Sequence, residues 1–115
     1  MIEYNIVIDK GLSFNETVEI KTDSGVPEDL TGSSFLMQIR DYKFSPDFRV
    51  SATDTNGLLA VTPILGVVDI KLTPTETDKL VVSKGAYDLI QIKPTGERIG
   101  IIGGTVEVNT TVSRP

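Results

Sequence analysis

Short segments in which apolar and polar residues alternate run through much of the chain. The clearest spans residues 33–40, where Phe35, Met37 and Ile39 fall on one side and mostly polar residues on the other. A period of two residues is typical of a β-strand with one buried face. Leu36 is the apolar exception on the polar side of this strand, and we expect a neighbouring element to cover it.

Other segments of this kind are separated by residues that favour turns. In the first of them, Tyr4, Ile6 and Ile8 are predicted to share a buried face. The predicted strands are Tyr4–Ile8, Phe14–Thr22, Ser33–Arg40, Phe48–Thr53, Leu58–Thr62, Val67–Leu72, Tyr87–Lys93 and Glu97–Glu107, with the last continuing through Val108 to Val112.

Turn residues suggest how these strands connect. Asn56-Gly57 lies between two apolar runs, a strong signal for a β-hairpin that would pair the strands on either side. Pro94-Thr95-Gly96 predicts a second hairpin, and Gly103-Gly104 predicts a bulge or kink in the last strand. Residues 73–80 begin with Thr73-Pro74 and carry Glu76, so they predict one or two helical turns at most.

The composition supports an all-β fold. Val, Ile and Thr supply 37 of 115 residues and Ala only 3, which is the balance of a strand-forming chain. We predict a single domain, residues 1–115, that folds as an immunoglobulin-like antiparallel β-sandwich of about seven or eight strands with at most one short helical turn.

Missing residue types narrow the chemistry of the chain. It has no Cys and no His, which removes thiolate nucleophiles, imidazole bases, the usual zinc sites and disulfides. The net charge of −5 argues against a nucleic-acid partner, because such binding depends on Lys and Arg neutralising phosphates. No apolar run is long enough for a membrane helix, and residues 1–10 lack the pattern of a secretory signal, so we expect a protein that is soluble as made. The absence of Cys fits synthesis in a reducing cytosol.

No residue combination predicts catalysis or a cofactor. The 16 acidic residues include no pair that the sequence singles out. Ser83-Lys84 are neighbours, and neighbouring residues of a strand point to opposite faces. Asp54-Thr55-Asn56-Gly57 lacks the later ligands of a calcium loop, and Gly100–Thr105 lacks the lysine of a phosphate-binding loop. We therefore expect no enzyme activity, no metal site, no cofactor and no small-molecule substrate.

One segment differs from the others in its aromatic content. Tyr42, Phe44 and Phe48 are three of only seven aromatic residues, and they fall in the polar, proline-containing stretch of residues 41–48. Large aromatic residues in loops often anchor interfaces with partners. They also occur where they close the open end of a sandwich core, so the sequence leaves both interpretations open.

A family resemblance complements these patterns. The run Asp29-Leu30-Thr31-Gly32, followed by Phe35, Met37 and Ile39-Arg40, resembles a segment of small immunoglobulin-like proteins of tailed bacteriophages. Further similar features, in the same order and over nearly the whole chain, are YNIVIDKG with Phe14, Asn56-Gly57, Leu72-Thr73, Leu80, Gly85-Ala86-Tyr87-Asp88-Leu89 and Val106 to Val112-Ser113-Arg114. The chain departs from that family in its longer 41–48 loop, in Ser113 and in a shortened segment before Tyr87.

The resemblance implies a structural module of the virion, similar in build to domains of the upper baseplate, that acts with other virion proteins in a symmetric assembly. The first hypothesis is an adaptor of the tail, neck or baseplate that holds a fibre or another appendage. The alternative is a decoration protein that cements the capsid. A carbohydrate-binding module is a third, less favoured hypothesis, because it would need a platform of stacking aromatics and the chain has no Trp.

Overall fold

The computed structural model describes residues 1–110, which form two β-sheets packed face to face and one short helix. The predicted all-β sandwich is therefore confirmed. The elements are β1 Ile2–Glu3, β2 Ile6–Asp9, β3 Phe14–Glu19, β4 Ser34–Arg40, β5 Val50–Thr53, β6 Leu59–Thr62, β7 Val67–Leu72, α1 Pro74–Thr77, β8 Lys84–Ile92 and β9 Arg98–Asn109.

The strand order is that of an immunoglobulin-like sandwich. The larger sheet has the order β1-β9-β8-β4-β5, with β2 also paired to β9, and the smaller sheet has the order β3-β7-β6. In a seven-stranded immunoglobulin domain, the second, fourth and fifth strands share one sheet and the third, sixth and seventh strands share the other. In this chain β3, β6 and β7 take the places of the first group, and β4, β8 and β9 take the places of the second. The amino-terminal strands β1 and β2 pair in parallel with β9, the one exception to antiparallel pairing among the named strands of residues 1–110.

The core lies between the two sheets and is built from the alternating residues of the strands. Phe35, Met37 and Ile39 of β4 are buried, as predicted, and face residues of β7 that alternate in the same way. Val67–Leu72 is a strand over the predicted residues, with Val68, Ile70 and Leu72 buried. The predicted helical turn is α1, whose first turn is capped by the Thr73 side chain.

The Asn56-Gly57 turn forms but does not make a hairpin. Gly57 has a φ of 84°, as such a turn requires. However, β5 pairs with β4 in the larger sheet and β6 pairs with β7 in the smaller sheet. The prediction that Leu58–Thr62 returns beside the preceding strand is therefore wrong. Leu59 on β6 is buried between the sheets, and the chain must cross to the smaller sheet to place it there.

The first predicted strand, Tyr4–Ile8, begins only at Ile6, and the short strand β1 precedes it. Tyr4 and Asn5 lie between β1 and β2, and Tyr4 is exposed rather than buried with Ile6 and Ile8, which corrects the prediction. The Tyr4 hydroxyl donates to Glu16 across 2.6 Å, and the side-chain oxygen of Asn5 accepts from the backbone N–H of Thr105. Within the break, the Asn5 side-chain oxygen serves as the acceptor for the Thr105 N–H, and the Tyr4 side chain reaches Glu16 of β3 in the smaller sheet.

The irregularity of the last strand is not at Gly103-Gly104. The register between β8 and β9 shifts between Leu89 and Ile90, whose partners are Ile102 and Gly100, so Ile101 is the additional residue. Gly104 instead allows the close approach of residues 4 and 5, since a Cβ atom there would collide with the Asn5 side chain and lie 3.1 Å from the Tyr4 carbonyl oxygen. The predicted continuation to Val112 lies outside the described residues.

Gly104→Ala should lower the free energy of unfolding by about 1–3 kcal/mol, because Asn5 would have to leave Thr105. Gly100→Ala is the matched control on the same strand. The atoms nearest to its Cβ would all belong to the flexible Met1 side chain, so its stability should change by less than about 0.5 kcal/mol. Urea unfolding of both variants measures the difference, and equal losses would show that the crossing at Asn5 is not the constraint.

Candidate docking surface

The candidate interface residues lie together in the loop of residues 41–48, which connects β4 to β5 at one end of the larger sheet. Tyr42, Phe44 and Phe48 have 60%, 85% and 50% of their surfaces exposed. None of the three belongs to the buried core. Their exposure favours the interpretation that they contact a partner over the interpretation that they close the end of the core.

An ion pair closes the base of this loop. The Arg49 guanidinium donates to both carboxylate oxygens of Asp41, with Nη2 2.8 Å from Oδ2 and Nε 3.0 Å from Oδ1. The backbone N–H of Arg49 also donates to the Ile39 carbonyl across 2.7 Å. A two-pronged pair fixes geometry better than a single contact does, so the two ends of the loop are held together.

Further hydrogen bonds hold the interior of the loop. The Arg40 guanidinium reaches from β4 to the Ser45 carbonyl oxygen, 2.9 Å away, and also donates to the Gln38 side chain. The Ser45 N–H donates to the Tyr42 carbonyl, and its hydroxyl donates to the Asp47 carbonyl. These contacts order the backbone while the aromatic side chains remain exposed. Binding through them therefore loses less conformational freedom than binding through an unconstrained loop.

The charges around the loop are mixed. The pKa of the Asp41 carboxyl is lowered by the hydrogen bonds from Arg49, and the pKa of Arg49 is raised by the same contact. Lys43 Nζ lies 5.7 Å from the centre of the Phe44 ring, within the range of a cation–π interaction. The loop thus presents aromatic rings beside the Lys43 cation.

The Asp41–Arg49 pair predicts a pH dependence of the loop. Because the folded-state pKa of Asp41 is lower than the ordinary 3.8, the pair contributes its full stabilisation above the ordinary value and loses it as the pH falls through the lowered pKa. Titration of the Asp41 carboxyl carbon by NMR should give a midpoint below 3.8 in the wild-type protein. Arg49→Gln should move the midpoint up toward 3.8, and an unchanged midpoint would show that Arg49 is not the cause.

A shallow groove adjoins the loop on the outer face of the larger sheet. Its volume is about 630 Å³, and its lining includes Leu36, Ile90, Arg40 and Lys43. Leu36 and Ile90 are cross-strand partners on β4 and β8, so together they form an apolar floor. Leu36 is half-buried in this groove, so the expected covering by a neighbour is partial.

Met1 forms one wall of this groove. Its sulfur lies so close to β9 that a Cβ atom at Gly100 or Gly103 would be 3.1 or 3.0 Å from it. The side chain of Tyr87 is buried, and its hydroxyl donates to the Tyr4 carbonyl. Burial raises the pKa of Tyr87 to about 12. Tyr87 therefore remains a neutral donor at physiological pH and fastens the amino-terminal segment beside the groove.

The loop and the groove present aromatic and apolar side chains at the surface. Within residues 1–110, no three His, Cys, Asp or Glu side chains are placed to hold a metal ion. The Asp41 and Ser45 side chains of the loop are engaged in hydrogen bonds that order its backbone. The arrangement can present two aromatic rings and a phenol to a partner, with the apolar floor of the groove beside them.

Sequence patterns identified the aromatic residues of this surface but not the residues that position them. The sequence places Arg40 and Arg49 in predicted strands, where a polar residue is ordinary, and nothing in it pairs Arg49 with Asp41. One signal was present for the groove. Leu36 interrupts the polar side of β4, and its cross-strand partner Ile90 extends the apolar surface there.

Comparison of the sequence with profiles of known protein families and with curated proteins finds no match. No helix within the described part of the chain is long and apolar enough to cross a membrane.

Proposed function

We propose that this chain is a non-enzymatic structural protein of a tailed-bacteriophage virion. In this proposal it is an adaptor of the tail, neck or baseplate that docks a fibre or another appendage onto a symmetric assembly of virion proteins. It is made in the cytoplasm of the bacterial host and resides in the virion. Its partners are proteins, with no nucleic acid, membrane or small-molecule substrate involved.

The observation that carries the proposal is the ordered, exposed aromatic loop. Aromatic side chains dominate the binding energy of many protein interfaces, and they do so best when their positions are fixed before binding. Here the Asp41–Arg49 pair and the Arg40–Ser45 contact fix the loop backbone beneath Tyr42, Phe44 and Phe48. Three exposed aromatics on one ordered loop fit a permanent docking role.

The resemblance to phage immunoglobulin-like proteins supports the setting of that role. Its main motif, residues 29–32, has a structural function in this chain. Asp29 accepts hydrogen bonds from the N–H and hydroxyl of Thr31, Leu30 is buried, and Gly32 has a φ of 81°. The motif thus builds a turn between the two sheets, and it supports the likeness in fold. In this proposal the 41–48 loop determines the partner. This loop is where the chain departs from that family, so the resemblance does not indicate which protein the partner is.

Fractionation of virions tests the proposal. Purified particles of the phage that encodes this chain should be separated into heads and tails, and each fraction probed with an antibody against the protein. The proposal predicts that it is found with the tails. Recovery with the heads would overturn the adaptor role in favour of capsid decoration, and absence from both fractions would overturn the virion role as a whole.

A further inference from the structure

The sandwich has four sheet edges in its described residues, and three of them carry a feature that discourages pairing with another chain. Natural proteins protect exposed edges with charges, interruptions or covering groups, because an open edge accepts a foreign strand. The edge formed by β1 and β2 is interrupted at Tyr4 and Asn5 and ends in Asp9. The edge formed by β3 carries Glu16 and Glu19 in a chain whose net charge is −5.

The β5 edge is closed by a side chain. Asn56 donates from Nδ2 to the Ser51 carbonyl across 2.9 Å, and its Oδ1 accepts from the N–H of Thr53 across 3.0 Å. Ser51 and Thr53 are two residues apart, so these are the groups that an added strand would bind. The carboxamide of Asn56 thus takes the place of a neighbouring peptide unit.

The β6 edge has none of these features. Its four residues, Leu59-Ala60-Val61-Thr62, are uncharged and pair only with β7. The turn that follows places Ile64 and Leu65 in solvent, with 78% and 60% of their surfaces exposed.

The register shows which backbone groups of β6 are open. The N–H of Lys71 donates to the Leu58 carbonyl, so Leu58 and Lys71 form a hydrogen-bonded pair. Such pairs alternate along antiparallel strands, so the N–H and C=O groups of Ala60 and Thr62 also point toward β7. The N–H and C=O groups of Leu59 and Val61 therefore point away from β7, and no described hydrogen bond uses them.

We propose that β6 is a self-association edge that pairs with β6 of a second copy of this chain. An antiparallel pair centred on Ala60 places Leu59 opposite Val61 of the other copy, and Val61 opposite Leu59. Each of these two opposed pairs exchanges two hydrogen bonds. The two three-stranded sheets become continuous, and the two-fold symmetry uses both open edges, so the assembly stops at a dimer.

A second copy is the proposed occupant because two-fold pairing satisfies the open N–H and C=O groups of Leu59 and Val61 in both chains at once. Two chains of net charge −5 repel one another, and pairing at β6 adds no charged residue to that repulsion. Among the edge strands of residues 1–110, β5 and β6 have no acidic residue, and Asn56 closes β5. The proposal concerns self-association and does not depend on the virion role.

Sedimentation equilibrium from about 10 μM to about 1 mM tests the proposal, since a short-strand interface predicts weak binding. The wild-type protein should show a monomer–dimer equilibrium. Val61→Pro removes an N–H that faces away from β7, and proline is tolerated on edge strands, so the fold should survive. This variant should raise the dimer dissociation constant at least about tenfold. Val61→Thr keeps the N–H and the side-chain shape, and it should dimerise like the wild type.

Hydrogen exchange on the wild-type protein provides a test that needs no variant. The amides of Leu59 and Val61 should exchange fast at low protein concentration and become protected at high concentration. A protein that remains monomeric throughout would overturn the proposal. So would a dimer that a folded Val61→Pro variant leaves intact, or concentration-dependent protection confined to β3 or to the groove.

Discussion

Replacing Phe35 with alanine should lower the free energy of unfolding by about 3–5 kcal/mol. Phe35 has 1% of its surface exposed and lies on β4, which is flanked by β8 and β5 in the larger sheet. Removal of a buried ring loses its transfer free energy and leaves a cavity that strands hydrogen-bonded on both sides cannot close. Ile39→Ala, on the same buried face, should cost about 2–5 kcal/mol for the same reason.

Leu36→Ala is the matched control for this prediction. Leu36 is the next residue on the same strand, and its side chain is on the outer face, where it remains partly exposed. Its loss should cost clearly less than the loss of Phe35, because little cavity forms at a surface. Urea unfolding with unchanged slopes measures both values. Similar losses for Phe35→Ala and Leu36→Ala would show that the assignment of the two faces of β4 is wrong.

The double variant Tyr42→Ala, Phe44→Ala should abolish docking while leaving the fold intact. Both side chains are largely exposed and outside the core, so the free energy of unfolding should change by less than about 0.5 kcal/mol. Two aromatic anchors of an interface commonly contribute more than about 2 kcal/mol each, which is at least a tenfold loss of affinity. Incorporation of the variant into virions, relative to the wild type, is the measurement.

Ile64→Ala, Leu65→Ala is the matched control, because it also removes two large, exposed apolar side chains from a turn. This variant should enter virions at the wild-type level. If both double variants enter normally, the 41–48 loop is not the docking site. If the Tyr42 and Phe44 variant loses stability instead, the loop supports the core and the interface assignment is wrong.

The sequence predicted the fold best in strands whose alternating apolar residues form the face that is buried in the core. In β4 and β7, alternating residues meet a core on one side and solvent on the other, so the period of two residues defines both the strand and its buried face. The turn at Gly96 also followed from local chemistry, since its φ of 91° requires glycine and the N–H of Lys93 pairs with the Glu97 carbonyl.

The sequence was less informative where the outcome depends on contacts between distant residues. A local signal at Asn56-Gly57 predicted the turn correctly, and the burial of Leu59 in the other sheet then decided that no hairpin forms. Gly104 is needed because Asn5 crosses it, and the two residues are far apart in the sequence. The aromatic residues of the candidate docking surface stand out in the sequence by their setting, whereas the Asp41–Arg49 pair depends on how the loop closes.

Quantitative mass spectrometry of purified virions tests the virion role most directly. The copy number of this protein should be compared with those of the portal protein and the major capsid protein in the same particles. The adaptor role predicts from a few copies to some tens of copies per particle, in proportion to the portal. Several hundred copies, in proportion to the major capsid protein, or no copies at all, would contradict it.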